Sequence, residues 1–324
     1  MPRVTVFELP DWFWMGIGVS LGLAFGSFLN VVIYRLPRGE NLAFPASHCT
    51  ACGAPIRAFD NLPLLGWLLL RGRARCCKAP ISGRYPLVEL LGGLLGGTLI
   101  QVAILTLPPE TLLWQAGLLF AAELALGLGL IAAAFIDLSH MYLPDSLTLG
   151  GAALGLVTVP LRAGSSWQES LLGAAVGFAC VWLPFDLLHR LLRGKPGMGL
   201  GDAKLVMLAG AWFGWQGALF TLLAGALQAT LAIAAVYLVR GKLDEPEAVR
   251  LERAEIEQEL LRATPEERAV IEAELALDPL AGEPEEGFGK ARIAFGPFLV
   301  LSVLELLVFG GFIREELIGA LFGT

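Results

Sequence analysis

Two aspartates in otherwise apolar surroundings are the residues of this chain best suited to chemistry. Asp137 stands in the run AFIDLSHMYLPD, and Asp202 ends the run GMGLGD. An acidic side chain close to hydrocarbon is costly and is a functional candidate by default. Gly199 and Gly201 leave room for another part of the chain to approach Asp202 closely.

A pair formed by Asp137 and Asp202 would have a defined reactivity. Two carboxylates a few ångströms apart cannot both ionise easily, so the pair can act as base toward a water molecule and as acid toward a carbonyl oxygen. This is the chemistry of an aspartic protease. The alternative for each aspartate is structural, as a partner in an interhelical hydrogen bond or as a helix cap.

Four cysteines form a second group, within one polar loop. Cys49 and Cys52 are spaced as C-x2-C, and Cys76 and Cys77 are adjacent. In a reducing compartment thiols at this density favour a metal over disulfides, and four thiolates suit tetrahedral zinc. The ion would then fold a loop that has little core of its own. Free thiols remain the alternative, because adjacent cysteines make a poor second knuckle, and His48 could supply a substitute ligand.

The other polar residues of the apolar segments favour structural roles. Asp145 follows Pro144 and is expected to cap a helix. No Ser-His-Asp or HExxH arrangement surrounds His140 or His189, so serine-protease and zinc-protease chemistry are unsupported. The remaining acidic residues in apolar runs are expected to pair structurally: Glu89, Glu123, Asp186 and Glu305.

The composition indicates which elements position these residues. The chain has 324 residues, of which 56% are hydrophobic and only 16% charged, and its mean hydropathy is +0.67. Soluble domains carry about a quarter charged residues. This excludes a disordered chain, a basic nucleic-acid-binding protein and a secreted disulfide scaffold, and it favours a protein that uses the bilayer as its solvent.

The apolar runs predict an all-α polytopic membrane protein with about eight transmembrane helices. A helix needs about 20 apolar residues to cross the hydrocarbon core. The fourth and sixth candidates are shorter than this. The eight candidates are residues 12–34, 87–107, 112–136, 147–161, 170–192, 203–213, 218–239 and 293–312.

The basic residues predict the orientation. All of the 23 basic residues except Arg3, Arg162 and Arg314 lie in the loops after the first, fifth and seventh candidate helices or at the helix ends that border those loops. The positive-inside rule places those loops in the cytoplasm and both termini outside. The even number of helices agrees. The cysteine-bearing loop after the first helix is therefore predicted to be cytoplasmic.

A charged insertion precedes the last helix. Residues 241–290 hold six basic and fifteen acidic side chains, whereas the whole chain has a net charge of −7. Thr264, Pro265 and Glu267 carry the signature of a helix start with a capping box. A charged helical pair is therefore predicted, either a solvated hairpin or a segment whose field attracts a basic partner.

Taken in order along the chain, these residues resemble the bacterial type IV prepilin peptidases, bifunctional leader peptidase/N-methyltransferases of the GxGD type. The likeness covers nearly the whole chain. Besides the Asp137 and Asp202 runs, the motifs are GSFLNVVIYRLP at 26–37, ISGRYP at 81–86 and FGPF at 295–298.

The resemblance implies roles for individual residues. The two catalytic aspartates of the family fall on Asp137 and Asp202. Its loop cysteines fall on Cys49, Cys52 and Cys77, while its remaining cysteine matches Ala74, with Cys76 two residues further on. The predicted metal ligands, for a structural zinc ion, are Cys49, Cys52, Cys76 and Cys77.

The implied activity is cleavage of the basic leader of a prepilin or pseudopilin after a glycine, on the cytoplasmic face of the bacterial inner membrane, in type IV pilus or type II secretion systems. Methylation of the new N-terminus with S-adenosylmethionine follows by resemblance alone, because the chain has no Gly-rich nucleotide loop. The sequence does not indicate which residues hold the methyl donor. The expected partners are prepilin precursors and the lipid bilayer, with no nucleic acid.

The predicted organisation has five parts. They are a first transmembrane helix (1–34), a cytoplasmic loop domain with the cysteines, associated with the methyltransferase (35–86), a transmembrane core with the aspartates (87–240), an acidic insertion (241–292) and a last helix with the C-terminus (293–324). Two other functions compete with the peptidase. One is an ion-coupled transporter that uses Asp137 and Asp202, and the other is a non-catalytic subunit of a secretion or pilus assembly machine.

Overall fold

The computed structural model describes residues 9–162, 164–193, 199–241, 247–277 and 294–313, and they are helical with no strand. The all-α prediction is therefore confirmed. In chain order the helices are α1 (Asp11–Arg35), α2 (Leu65–Leu69), α3 (Arg84–Leu99), α4 (Leu113–His140), α5 (Asp145–Val157), α6 (Trp167–Trp182), α7 (Leu188–Arg193), α8 (Leu200–Arg240), α9 (Glu247–Arg262), α10 (Pro265–Leu277) and α11 (Gly296–Phe312).

Five helical stretches of the described chain are long and apolar enough to cross a membrane, and two shorter apolar helices accompany them. The protein is thus a helical membrane protein. The long stretches are Asp11–Arg38, Arg84–Ile104, Leu113–His140, Trp167–Leu192 and Leu200–Val239, and the short ones are Asp145–Val157 and Gly296–Phe312.

The sixth and seventh candidate segments both lie in α8, which has 41 residues. A straight helix of that length would measure about 60 Å, roughly twice the thickness of the hydrocarbon core. Gly214, with φ 71° and ψ −178°, interrupts it. Positive φ costs glycine little, so one residue makes the break where the sequence predicts a short loop.

The chain forms two compact units. Among the described residues, the first comprises those within Met1–Ala133, Val157–Ser165 and Leu304–Thr324, and the second those within Ala134–Leu156 and Ser166–Val303. The five-part division expected from the sequence remains a prediction.

In the first unit α1 and α3 pack through glycines. A Cβ atom on Gly22 would collide with the carbonyl oxygen of Gly92, and one on Gly18 would contact the carbonyl oxygen of Gly96 at 2.5 Å. Lipid tails are as apolar as side chains, so membrane helices gain their association from such close backbone packing. The small residues of α1 and α3 therefore define this interface.

The second unit repeats this mode of packing between α6 and α8. A Cβ atom on Gly173 would collide with the carbonyl oxygen of Gly210, and one on Gly177 with that of Val206. The indole nitrogen of Trp212 donates to the carbonyl oxygen of Gly151 in α5 at 2.8 Å. These contacts hold the first part of α8, which carries Asp202, against α5 and α6.

The charged insertion contains the predicted helical pair, α9 and α10. The backbone N–H of Thr264 donates to Oε2 of Glu267 at 2.9 Å, and the N–H of Glu267 donates to Oγ1 of Thr264 at 3.4 Å. This is the predicted capping box. The hydrogen bonds that Thr264 donates to the carboxylate of Glu267 hold the pKa of Glu267 below its usual value. Residues 242–246 and 278–293 lie outside the described part of the insertion.

Candidate active site

Asp137 and Asp202 are brought together in the second unit. Asp137 lies three residues before the end of α4 and is 6% exposed. Asp202 lies in the first turn of α8 and is half-buried. Their carboxyl groups are close enough to interact electrostatically. The pairing expected from the two motifs is therefore geometrically possible, although the residues are far apart in the chain.

Gly296, the first residue of α11, lies directly against Asp137. Its backbone N–H donates a hydrogen bond to the Asp137 carboxylate. A Cβ atom at Gly296 would stand 2.6 Å from Oδ2 of Asp137, so only glycine leaves this carboxylate undisturbed. The sequence marks residue 296 only as part of the FGPF motif and does not indicate this contact.

Leu143 fills the space between the two glycines of the site. A Cβ atom on Gly201 would lie 3.1 Å from Cβ of Leu143, and one on Gly296 would lie 3.3 Å from Cδ2 of the same side chain. The segment that joins α4 to α5 and the starts of α8 and α11 thus converge around Asp137. The glycine before Asp202 permits this approach, as the GxGD pattern predicts.

The basic residue nearest in sequence to Asp202 is engaged elsewhere. Nζ of Lys204 lies 2.6 Å from Oδ1 of Asp145, the first residue of α5. Asp145 therefore stands at the helix start, but its carboxylate contacts Lys204 in place of the expected cap. Across the described ranges neither Asp137 nor Asp202 forms an ion pair. Both carboxyl groups can therefore hydrogen-bond to a water molecule and to a substrate.

Two of the acidic residues expected to pair structurally have basic partners. Asp186 accepts from Nε of Arg190 one turn later, at 2.9 Å. Glu123 interacts electrostatically with Arg162. The Asp186 carboxylate is therefore paired structurally, as expected, in contrast to the aspartate pair.

The four loop cysteines form one cluster in the first unit. Their sulfur atoms all lie within 4.8 Å of one another. The Sγ atoms of Cys49 and Cys77 are 3.7 Å apart, and those of Cys52 and Cys76 are 3.3 Å apart. Tetrahedral zinc with thiolate ligands sets sulfur atoms about 3.8 Å apart. The cluster could therefore bind a metal ion, whereas His48 is directed to the carbonyl oxygen of Ala46 at 3.1 Å.

The first knuckle is a tight turn around Cys49 and Cys52. The N–H of Cys49 donates to the carbonyl oxygen of Ala54, and the N–H of Gly53 donates to the carbonyl oxygen of Cys49, both at 2.8 Å. Gly53 has φ 72°, which a glycine adopts without strain. The turn directs the sulfur atoms of Cys49 and Cys52 toward the same point.

The second knuckle has the same backbone pattern with a different cysteine spacing. The N–H of Ala74 donates to the carbonyl oxygen of Ala79 at 2.8 Å, and the N–H of Lys78 donates to that of Ala74 at 2.9 Å. Lys78, with φ 60°, replaces the glycine of the first turn. Ala74 thus occupies the place that Cys49 has in the first knuckle, and Cys76 contributes the fourth sulfur.

The cysteines differ in acidity. Hydrogen bonds from the backbone N–H groups of Ala51 and Cys52 lower the pKa of Cys49 to about 7. The hydrogen bond with Cys52, together with burial and the other thiols, raises the pKa of Cys76 to about 12. The cluster therefore contains one thiol ready to ionise and one that holds its proton until a cation replaces it.

Apolar spanning helices, apposed aspartates and a four-cysteine cluster define a helical membrane protein with a carboxylate-pair site. Residues 20–104 match the model of the bacterial peptidase A24 N-terminal domain, and residues 124–234 match that of the type IV leader peptidase family. The chain belongs to the type IV leader peptidase family and is an enzyme. This membership favours the peptidase over the transporter and the non-catalytic assembly subunit.

Three relatives illustrate the likeness, and each is named prepilin leader peptidase/N-methyltransferase. The protein of Stutzerimonas stutzeri is 42% identical over 219 residues, which cover 60% of this chain and 72% of the relative. That of Pseudomonas putida is 37% identical over 264 residues, 74% and 86% of the two chains. That of Klebsiella pneumoniae is 46% identical over 208 residues, 62% and 86%. No solved structure matches the chain.

Proposed function

We propose that this protein is an aspartic endopeptidase that removes the basic leader of type IV prepilins or pseudopilins, cutting after a glycine at the cytoplasmic face of the inner membrane. Asp137 and Asp202 are its catalytic pair. The observation that carries the proposal is the apposition of these two carboxyl groups beside Gly296. The names of the relatives support the substrate class.

The mechanism needs one proton shared between the two aspartates. The ionised carboxylate takes a proton from a water molecule while the water oxygen attacks the carbonyl carbon of the glycine, and the other carboxyl group donates its proton to the carbonyl oxygen. The resulting diol collapses as the C–N bond breaks, and one of its hydroxyl groups returns a proton to the ionised carboxylate while the protonated carboxyl group gives its proton to the nitrogen. The departing nitrogen receives one proton, the carboxylic acid product forms, and the pair again holds one proton.

The charge distribution supports the proposed orientation. The first loop carries eight basic residues between Arg35 and Arg84, which the positive-inside rule places in the cytoplasm. A leader that is itself basic stays on the same side, while the hydrophobic helix of the precursor lies in the bilayer. The scissile bond then falls at the membrane surface, where the start of α8 presents Asp202.

The cysteine cluster is proposed to hold a structural zinc ion through Cys49, Cys52, Cys76 and Cys77. The sulfur separations match what four thiolates need around this ion. Bound zinc would tie the two knuckles together in a loop with few buried apolar residues. The loop then provides a rigid wall next to α1 and α3.

Methylation of the new N-terminus is proposed as a second activity, because the relatives are named N-methyltransferases. S-adenosylmethionine would supply the methyl group. In the proposed mechanism water and the scissile bond occupy the carboxylate pair, so the second activity is proposed to use a separate site on the protein.

Replacement of either aspartate tests the peptidase. Asp137→Asn and Asp202→Asn keep size and polarity but cannot share a proton, so each should reduce prepilin cleavage in proteoliposomes by at least ~10³-fold. Asp145→Asn makes the same change in an exposed ion pair of the same unit and should cleave at close to the wild-type rate. Normal cleavage by both catalytic variants would show that the two aspartates are structural.

A further inference from the structure

The first unit contains a cavity of about 990 Å³ that the peptidase mechanism does not use. It is bordered by α1, by the loop after it and by the start of α3. Its volume is at the upper end of the roughly 300–1,000 Å³ typical of small-molecule sites. Cys49 and Cys76 also contribute to its wall, so the cysteine cluster adjoins it.

Asn30 lines the cavity and carries an unused acceptor. The side chain is 3% exposed, and its Nδ2 donates to the carbonyl oxygen of Tyr85 at 3.2 Å. Its Oδ1 atom is buried and has no hydrogen-bond partner within the described ranges. A buried acceptor without a partner is destabilising, so a ligand that donates an N–H or O–H group here would gain affinity.

Glu89 adds a buried carboxylate to the same wall. It is 9% exposed, and its Oε2 accepts from the backbone N–H of Leu64 at 2.7 Å. That bond replaces one hydrogen bond to water but brings no positive charge. Among the described residues Glu89 forms no ion pair, and a buried carboxylate is stabilised by a cation.

Two of the three arginines that line the cavity are occupied by hydrogen bonds. The guanidinium of Arg35 donates to the carbonyl oxygens of Asn41 at 3.0 Å and Pro45 at 2.8 Å. That of Arg75 binds Asp60 through both oxygens, the shortest distance being 2.7 Å. The third, Arg57, lies 5.8 Å from the centroid of the Phe59 ring and interacts electrostatically with Asp60. Within the described ranges none of the three forms an ion pair with Glu89, so a cationic ligand would complement that carboxylate.

Aromatic side chains complete the lining. Trp67 is held by a hydrogen bond from its Nε1 to the carbonyl oxygen of Ile81 at 3.1 Å, and Tyr34 and Tyr85 also border the cavity. Arg38 and Arg84 lie over the rings of Tyr34 and Tyr85, respectively. Aromatic faces attract cations and offer flat surfaces for a base, and among the described residues no arginine lies over the ring of Trp67. Within the described part of the chain, the cavity thus combines a buried carboxylate that has no basic partner, a free acceptor and aromatic walls.

We propose that this cavity binds S-adenosylmethionine. The carboxylate of Glu89 faces the sulfonium charge of the ligand, and Oδ1 of Asn30 accepts a hydrogen bond from an N–H or O–H group of the ligand. The inference rests on the proposed methylation and gives that activity its site. The sequence contains no nucleotide-binding motif, and the proposal names Asn30 and Glu89 as residues of the methyl-donor site. The cysteine cluster beside the cavity would hold part of its wall in place.

Binding of two ligands to the purified full-length protein in nanodiscs tests the inference. S-adenosylhomocysteine has the same skeleton as S-adenosylmethionine but lacks the methyl group and the sulfonium charge. Glu89→Gln keeps an acceptor for Leu64 and removes the carboxylate charge, so it should weaken S-adenosylmethionine binding about tenfold and S-adenosylhomocysteine binding less than about threefold. Asn30→Leu should weaken both ligands about tenfold.

The Glu89→Gln comparison is made within one protein sample, so the ratio of the two dissociation constants does not depend on the folded fraction. Glu110→Gln makes the same change at an exposed position outside the cavity and should leave both constants unchanged. Unchanged ratios in Glu89→Gln, with methylation still present, would overturn this inference alone. Wild-type protein that binds neither ligand would overturn the proposed methylation as well. A raised KM for prepilin with unaltered donor binding would instead assign the cavity to the leader peptide.

Discussion

Cys76 lies two residues after Ala74, the position that corresponds to Cys49 in the other knuckle, and its sulfur is 3.3 Å from that of Cys52. A displaced cysteine therefore restores a four-sulfur cluster on a backbone that has lost one ligand position. Its thiol, with a pKa raised to about 12, is protonated at neutral pH. A metal ion must displace that proton before it binds.

This acidity makes a prediction about metal binding. Zinc affinity should rise with pH, because thiols whose pKa lies above the pH of the solution release protons when the metal binds. Cys76→Ser should therefore reduce the slope of log Kd against pH by about one proton. Competition with a chromophoric chelator between about pH 6 and about pH 8 measures the slope. Cys180→Ser removes a cysteine outside the cluster and should leave it unchanged. Equal slopes and affinities for Cys76→Ser and wild type would exclude Cys76 as a ligand.

Helix α11 shows how an element far along the chain contributes to the site. It begins at Gly296, whose N–H contacts Asp137 and whose missing side chain leaves room for that carboxylate. The start of α8 contributes Asp202, and its position depends on glycine contacts with α6. The carboxylate pair is thus positioned by helix ends, where backbone N–H groups are available.

Gly296→Ala should therefore impair catalysis more than folding. The added Cβ would stand 2.6 Å from Oδ2 of Asp137 and force the carboxylate to move. A displacement of about 1 Å at a reacting group can cost about 10²-fold in rate, and we expect a fall in kcat of that order. Gly310→Ala, in the same helix with nothing within 4 Å of the added atom, is the matched control. Equal kcat values for the two variants, measured by prepilin cleavage, would contradict the proposed role of Gly296.

At the scale of the whole molecule, negative charge is concentrated in one insertion. Residues 241–290 have an excess of acidic over basic side chains that exceeds the net charge of −7 of the entire chain. The insertion includes α9 and α10, stabilised by the capping box at Thr264. A field of this sign attracts basic segments and acts on encounter more than on chemistry.

Removal of residues 243–287 should raise the KM for a prepilin with a basic leader at low ionic strength. At high salt the KM of the deletion variant should equal that of the wild type, because charges more than about 10 Å apart are screened at 0.1 M salt and above. The kcat should not change. The control is a variant in which an uncharged Gly/Ser linker replaces the segment, because it keeps the chain connection between α8 and α11. An unchanged KM at both salt concentrations would show that the insertion does not steer the substrate.

Properties that depend on local sequence were predictable. Hydropathy placed every apolar candidate on a helix, because burying about 20 apolar residues in hydrocarbon depends on the residues themselves. The capping box at Thr264 was predictable because its hydrogen bonds join residues only three positions apart. The separation of the sixth and seventh candidates was less so, since a single glycine at 214 makes the break within α8.

The sequence by itself determined the class of protein, its helices and the residue types capable of chemistry, because composition and motif spacing act within short stretches of chain. Only the tertiary structure decided that Gly296 lies against Asp137, that Cys76 completes the cysteine cluster, and that Asn30 and Glu89 line one cavity. Each of these contacts joins residues that are distant in the chain. For Asn30 and Glu89 the proximity follows from how closely the glycine faces of α1 and α3 pack, which no local pattern encodes.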